Sequence, residues 1–354
     1  MKASFSIWLA RADKNKVFEQ IKHPESIRKI SDTMNDPSTP NSASKPSDTG
    51  LNQVSNPPKS QFTSKPVGLR NIGQTCYINA ILQSLASAYD IWSGILPNAL
   101  SNSHFLKYLV TMLNLMRFKS DKVDPKFIVA RLGSFISKAR GKTFVPNEAN
   151  DAPEVLGYIL DDISTCCLTA GNSFTTTYQI ERTCDTCGSS SKVEDKVALL
   201  RVPIRKTINL SIQQFFRTSS LVGENQRYCD ICQENQDATS EVELVIPPQI
   251  LIVQLERFTA VDGNNYIKNT MKVSCDTDIS LVEKIAEPHT RHAYKLISVI
   301  DHSGPYSNGH YTCFVQDQTS KQWFCCNDSI VDKSDISLCQ NPYVLFYRID
   351  KLEV

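Results

Sequence analysis

Residues 68–85 read GLRNIGQTCYINAILQSL, and the reading of this stretch decides the rest. From Tyr77 onward Ile78, Ile81, Leu82 and Leu85 recur at helical spacing, while residues 71–75 are small or polar but for Ile72, so the spacing predicts a buried helix opening at Cys76. A helix N-terminus presents free backbone N–H groups and the positive end of the dipole, and both favour thiolate over thiol. Cys76 is therefore a candidate nucleophile. On this stretch alone a cysteine packed into a buried helix fits equally well.

Outward from that helix, composition sets the bounds. The chain has 354 residues, 41% hydrophobic and 21% charged, enough for one large core or two modest ones. A net charge of +1 gives no overall field toward nucleic acid or a membrane surface, so neither is expected as a partner. No apolar run is long enough to span a bilayer. The opening MKASFSIWLARADK has an apolar patch cut off by Arg11, so no signal peptide is expected. The 12 cysteines include the adjacent pairs Cys166/Cys167 and Cys325/Cys326 and two C-x-x-C units. That is no disulfide framework, and it implies a reducing compartment, hence an intracellular location in cytoplasm, nucleus or both.

Residues 1–65 are expected to form a mostly disordered N-terminal arm. From about residue 24 they are rich in Ser, Pro, Asn, Asp and Lys, with Pro37, Pro40, Pro46, Pro57 and Pro58 and few large apolar side chains. Such a segment cannot offset its ordering entropy by burial. A folded domain is expected from Pro66. Its first third is helical in pattern: Phe105, Leu106, Leu109, Met112, Leu113 and Met116 form a stripe, Asp124-Pro125 opens a further helix, and Val155, Leu156, Ile159, Leu160 and Ile163 mark another from Asp151. The pattern then turns to strands: residues 173–182, 242–246, a continuous apolar run at 250–253 extending to Phe258, then 294–300, 310–315, 323–325 and 343–347. Helices first and strands afterwards predict an α+β fold.

Cys184-Asp-Thr-Cys187 and Cys229-Asp-Ile-Cys232 have the spacing of a closed four-thiolate zinc site, structural because all four positions are sulfur. The long gap between them places the knuckles at the tip of a β-hairpin excursion. Nearby basic residues are balanced by acidic ones, against a nucleic-acid ribbon.

A cysteine nucleophile needs a base and a group that orients it. His23 falls in the arm, His104 on a helix, and His289 and His292 in a polar loop. His302 and His310 share DHSGPYSNGHYTCFV. His310 follows a Gly-, Pro-, Ser- and Asn-rich turn and opens a strand, which presents its ring at a sheet end; His302 precedes the turn. Downstream, WFCCNDSIV places Asn327 and Asp328, each able to accept a hydrogen bond from imidazole, although Asn-Asp also reads as plain turn chemistry.

These segments, in this order, together with PPQILIVQLERF and YVLFYR, resemble the ubiquitin-specific proteases, the papain-like cysteine deubiquitinases, over roughly residues 66–350. The resemblance implies a helical thumb at about 66–170, zinc-ribbon fingers at about 171–246 and a β palm at about 247–350. Residue by residue, it makes Cys76 the nucleophile, His310 the general base, Asn327 the third triad member, Asp328 an assisting acid, and Asn71 an oxyanion-hole donor. It implies a thiol-dependent, cysteine-type ubiquitinyl hydrolase that acts on ubiquitin conjugates through a thioester, with one structural zinc and no catalytic cofactor.

The chain departs from the family at residues 149–155, ANDAPEV, where glutamines usually precede the acidic pair. Asp151 and Glu154 remain at the positions that resemble the family's contacts to the substrate's arginines; the same spacing fits an Asp-x-x-Glu capping box. The missing glutamines and Pro153 leave open a protease for another ubiquitin-like modifier. A ubiquitin-binding scaffold without turnover is the other alternative.

Overall fold

The structure, a computed structural model, describes residues 65–88, 103–118, 123–141, 143–262, 265–283 and 289–353. The arm expected over residues 1–65 lies, but for its last residue, outside them, as does His23. The helical third comprises α1 (Cys76–Ser87), α2 (His104–Phe118), α3 (Lys126–Arg140), α4 (Ala152–Cys166) and the short α5 (Leu168–Asn172); α6 (Ile208–Phe215) follows later in the chain. The remainder is mostly strand, and the α+β expectation holds.

A 12-stranded sheet carries the architecture. Its centre is the strand Thr290–Ser303, which pairs antiparallel with Asp278–Glu283, His310–Gln316 and Pro342–Glu353. Pro342–Glu353 continues to Ile250–Leu255, whose other neighbour is Leu200–Val202 in parallel. Every residue of Ile250–Leu255 is buried, as its unbroken apolar run requires of a strand covered on both faces. The run does not continue into Phe258 as one strand: it ends at Leu255, and Phe258–Asp262 begins a separate hairpin with Asn265–Lys268.

Alternation along these strands divides the core in two. Ile250, Ile252, Val344 and Phe346 face the helices. Leu251, Val253, Leu255, Leu345 and Tyr347 point the other way, toward Ile208 and Ile212 of α6. Each such side chain contributes roughly 1.5–3 kcal/mol on burial.

Helix α1 lies inside the molecule, buried from Cys76 to Leu85. Its polar residues are tolerated there because they are bonded: Gln83 Nε2 donates to Val67 O at 2.7 Å, and Ser84 Oγ meets Ser298 Oγ at 2.9 Å and Cys313 Sγ at 3.3 Å. The last two contacts dock the helix on the central strand and on the strand that begins with His310.

Away from this body, Thr176–Cys184 pairs with Ser190–Val197 and with Ala238–Ile246. The small ladder Arg227–Cys229 with Glu234–Gln236 carries the second knuckle.

Candidate active site

Three segments converge at the N-terminus of α1. Thr75 is the N-cap, but its side chain does not cap; its hydroxyl donates to Asn71 Oδ1 at 3.1 Å and accepts from Ile72 N at 3.2 Å. No acidic residue occupies the first turn, so the free N–H groups and the positive dipole end are left at the Cys76 sulfur, 9% exposed as a residue. The loop before the helix is shaped by Asn71, whose Oδ1 also accepts from Gly73 N and Thr75 N, each at 3.2 Å.

His310 opens the strand His310–Gln316. Its Nε2 lies 2.8 Å from Asn327 Oδ1, and its ring also hydrogen-bonds the Cys76 side chain, an interaction left to Nδ1. The Cys76 contact, reinforced by Asn327 and by the charge of Asp328, raises the imidazole to about 9 against the opposing effect of burial. The geometry thus favours imidazolium beside sulfur. Asn327, rather than Asp328, is the hydrogen-bond partner of His310.

Asp328 does something else. It sits at φ 51°, in the left-handed region that Asp tolerates, in the two-residue turn after Asn327. Its Oδ2 accepts from Asn71 Nδ2 at 2.9 Å, its Oδ1 from Asn79 Nδ2 at 2.8 Å, and its backbone oxygen from Leu69 N at 2.8 Å. Gly68 packs so closely on Ser329 O that a Cβ there would collide with backbone. The His–Asn strands are therefore stitched to the loop that presents the cysteine. One N–H of the Asn71 amide is committed to Asp328, and an amide has a second to give.

The Asp151 carboxylate belongs to a different network. Asp151 is the N-cap of α4 yet makes no side-chain cap bond, so the capping-box expectation is corrected. Pro153 at the second helical position has no N–H to offer. The carboxylate turns instead to Tyr343 and Tyr311, whose hydroxyls donate to Oδ1 at 3.0 and 3.3 Å. Burial pushes it up to about 6. Glu154 is exposed on the first turn of the same helix.

Neither His302 nor His292 joins this chain of hydrogen bonds. His302 is 1% exposed, and burial together with neighbouring positive charge lowers it to about 4, so it is neutral. His292, expected in a loop, is instead a buried residue of the strand Thr290–Ser303, 3.0 Å from Glu283. Sequence reasoning missed Asn79, Tyr311 and Tyr343. Asn79 alone left a signal, a polar residue one turn after Cys76 between the apolar Ile78 and Ala80.

Far along the hairpin extension, the Sγ atoms of Cys184, Cys187, Cys229 and Cys232 lie within 4.8 Å of one another. Cys187 to Cys229 is 3.6 Å and Cys184 to Cys232 is 4.0 Å. Tetrahedral zinc with Zn–S bonds of about 2.3 Å requires sulfurs about 3.8 Å apart, so the residues fit such an ion.

Helices packed on a mainly antiparallel sheet, with cysteine at a buried helix N-terminus and histidine and asparagine on adjacent strands, constitute the papain-like fold, with thumb, palm and a four-cysteine finger extension. The chain belongs to the ubiquitin carboxyl-terminal hydrolase family, whose model matches residues 67–347. It is 28% identical over 313 residues to ubiquitin carboxyl-terminal hydrolase 25 of Arabidopsis thaliana, covering 80% of this chain and 47% of that protein. To human ubiquitin carboxyl-terminal hydrolase 17-like protein 12 it is 27% identical over 302 residues, covering 79% and 55%. The chain thus spans about half the length of these curated relatives. Among solved structures, a chain of the SAGA Ubp8/Sgf11/Sus1/Sgf73 DUB module bound to ubiquitin aldehyde superposes with a TM-score of 0.69 at 21% identity, over 85% of this chain and 72% of that one.

Proposed function

We propose that this protein is a cysteine-type deubiquitinase that hydrolyses the bond after the C-terminal glycine of ubiquitin in conjugates. The observation that carries the reading is the Cys76–His310–Asn327 chain of hydrogen bonds at the head of α1, within a domain of this family. Thumb, fingers and palm are assigned to about 66–170, 171–246 and 247–350.

In this reading the Cys76 thiolate attacks the terminal glycine carbonyl, and the new C–S bond forms as the carbonyl π pair moves to oxygen. The oxyanion is received by the first-turn N–H groups of α1 and the remaining N–H of Asn71, a type of contact worth about 3–4 kcal/mol of barrier in other hydrolases. Collapse expels the lysine amine, which takes its proton from His310. Water, deprotonated by the same imidazole, then cleaves the thioester and returns the thiolate. Asn327 holds the imidazole in orientation without adding negative charge. Asp151 and Glu154 are assigned to the arginines of the substrate tail. Cys184, Cys187, Cys229 and Cys232 would hold zinc, which when bound cross-links the finger tip and takes no part in the chemistry.

The test is incubation with ubiquitin bearing a C-terminal electrophile. A covalent adduct on the native protein, abolished by Cys76→Ala, is expected. Binding without adduct would leave the scaffold reading in its place, and adducts only with probes built on other ubiquitin-like modifiers would reassign the substrate.

A further inference from the structure

The turn that delivers His310, residues 303–309, is held from beneath by a group outside the catalytic constellation. Lys268 ends the hairpin strand Asn265–Lys268. Its ammonium reaches His302 O at 2.6 Å, Gly304 O at 2.9 Å and His302 Nδ1 at 3.1 Å. An ammonium has three protons and no acceptor, so these three contacts match its donors and leave His302 Nδ1 as the acceptor, with the ring proton on Nε2. The ring itself is boxed by Tyr311, Phe258 and Tyr343, with centroids at 4.6, 5.4 and 6.1 Å. Gly309, the residue before His310, lies so close over the His302 ring that a Cβ there would collide with it.

We propose that Lys268 is a positioning residue for His310: by pinning the His302 and Gly304 carbonyls and fixing His302 as a neutral ring under Gly309, it sets where the imidazole stands relative to Cys76. The charged and titratable groups facing His302 are Lys268, Arg257 and His310, and the positive charges all hold it neutral. Besides His302, those facing His310 are Cys76 and Asp328, and both raise it. Arg257, fully buried, grips Asn269 O and Met271 O just beyond Lys268 at 2.9 and 3.1 Å, so the hairpin end is itself anchored. Stacking of Tyr266 on Tyr306 at 4.2 Å joins the hairpin to the turn a second time.

The inference rests on the Cys76–His310 pairing and is tested by a reaction that needs no ubiquitin. The rate of iodoacetamide alkylation at the Cys76 peptide, read by mass spectrometry against pH, reports how the neighbouring imidazole controls the sulfur. Lys268→Met is expected to react about tenfold more slowly than the native protein at pH 6.5, with a pH profile displaced from the native one. Ile267→Ala, at an exposed site on the same hairpin, is expected to keep the native profile. Should Lys268→Met melt before the assay, Gly309→Ala loosens the turn from above and carries the same expectation. A native profile in folded Lys268→Met or, if that variant melts, in Gly309→Ala overturns the proposal alone. A native profile left unchanged by His310→Ala overturns the Cys76–His310 pairing and the proposal with it.

Discussion

Asn79 donates from Nδ2 to Asp328 Oδ1 at 2.8 Å, joining the buried helix of the nucleophile to the turn beyond the histidine strands across 249 positions of sequence. Asp328 also holds Asn71, whereas Asn327 alone holds His310. The two adjacent residues should therefore fail differently. Asp328→Ala leaves two amides without their charged acceptor, each such bond being worth about 1.5–3 kcal/mol, and is expected to lower both melting temperature and kcat. Asn327→Ala is expected to lower kcat while costing under about 1 kcal/mol of stability, because its bond lies on the exposed side. Denaturant titration beside steady-state kinetics checks this; equal stability losses would contradict the division of labour.

His310 provides a pH signature. Its folded value, about 9, lies above the ordinary 6.5 because of Cys76. A raised value means that the folded state holds the proton more tightly, so the stabilisation is fully present below pH 6.5 and fades as pH rises through 9. Cys76→Ala removes the first cause of the shift. Thermal melts from pH 6 to 10 should show the native protein losing an increment that this variant never had; parallel curves would sink the ion-pair reading.

Asp151 predicts an opposition between stability and use. Its value is pushed up to about 6 by burial, so its contribution is greatest below the unfolded value near 3.8 and is lost as pH rises through 6. Asp151→Asn keeps an acceptor for Tyr311 and Tyr343 but carries no charge. Above pH 6 it is expected to stabilise the protein by about 1–2 kcal/mol, while raising KM for a ubiquitin substrate through loss of the charge proposed to meet its arginines. Melting curves and KM measured on the same preparation decide; a variant less stable at pH 8 would refute the burial argument.

Metal removal should separate the finger tip from the chemistry. Native protein is expected to carry one zinc per chain by native mass spectrometry. Chelation or Cys229→Ser should lower the melting temperature and weaken ubiquitin turnover, yet leave alkylation of Cys76 unchanged, because the sulfurs of the knuckles lie on a hairpin remote from α1. Slowed alkylation would show that the two regions are coupled.

What the sequence disclosed follows a physical division. Local periodicity sufficed for α1, for the buried strand Ile250–Leu255 and for the strand that His310 opens, because each is set by which neighbours are apolar. Doubled C-x-x-C spacing sufficed for the four-sulfur cluster. Long-range polar pairing leaves no such pattern. Nothing in the spacing of Asp151 and Glu154 betrays that two tyrosines from distant strands take the carboxylate away from the helix, and nothing near Lys268 points to the carbonyls it grips. Asp328 and Asn327 look interchangeable as letters; only the positive φ of Asp328 turns it from the imidazole toward Asn71 and Asn79.

The stitching of Gly68 and Leu69 to the Asp328–Ser329 turn has a consequence for how the protein is made. The helix with the sulfur leaves the ribosome long before the strands with the imidazole, and until those strands enter the sheet no imidazole stands beside it. A prematurely terminated polypeptide that ends before His310 thus lacks the imidazole that faces Cys76, and the pair is assembled only once the strand His310–Gln316 has joined the sheet.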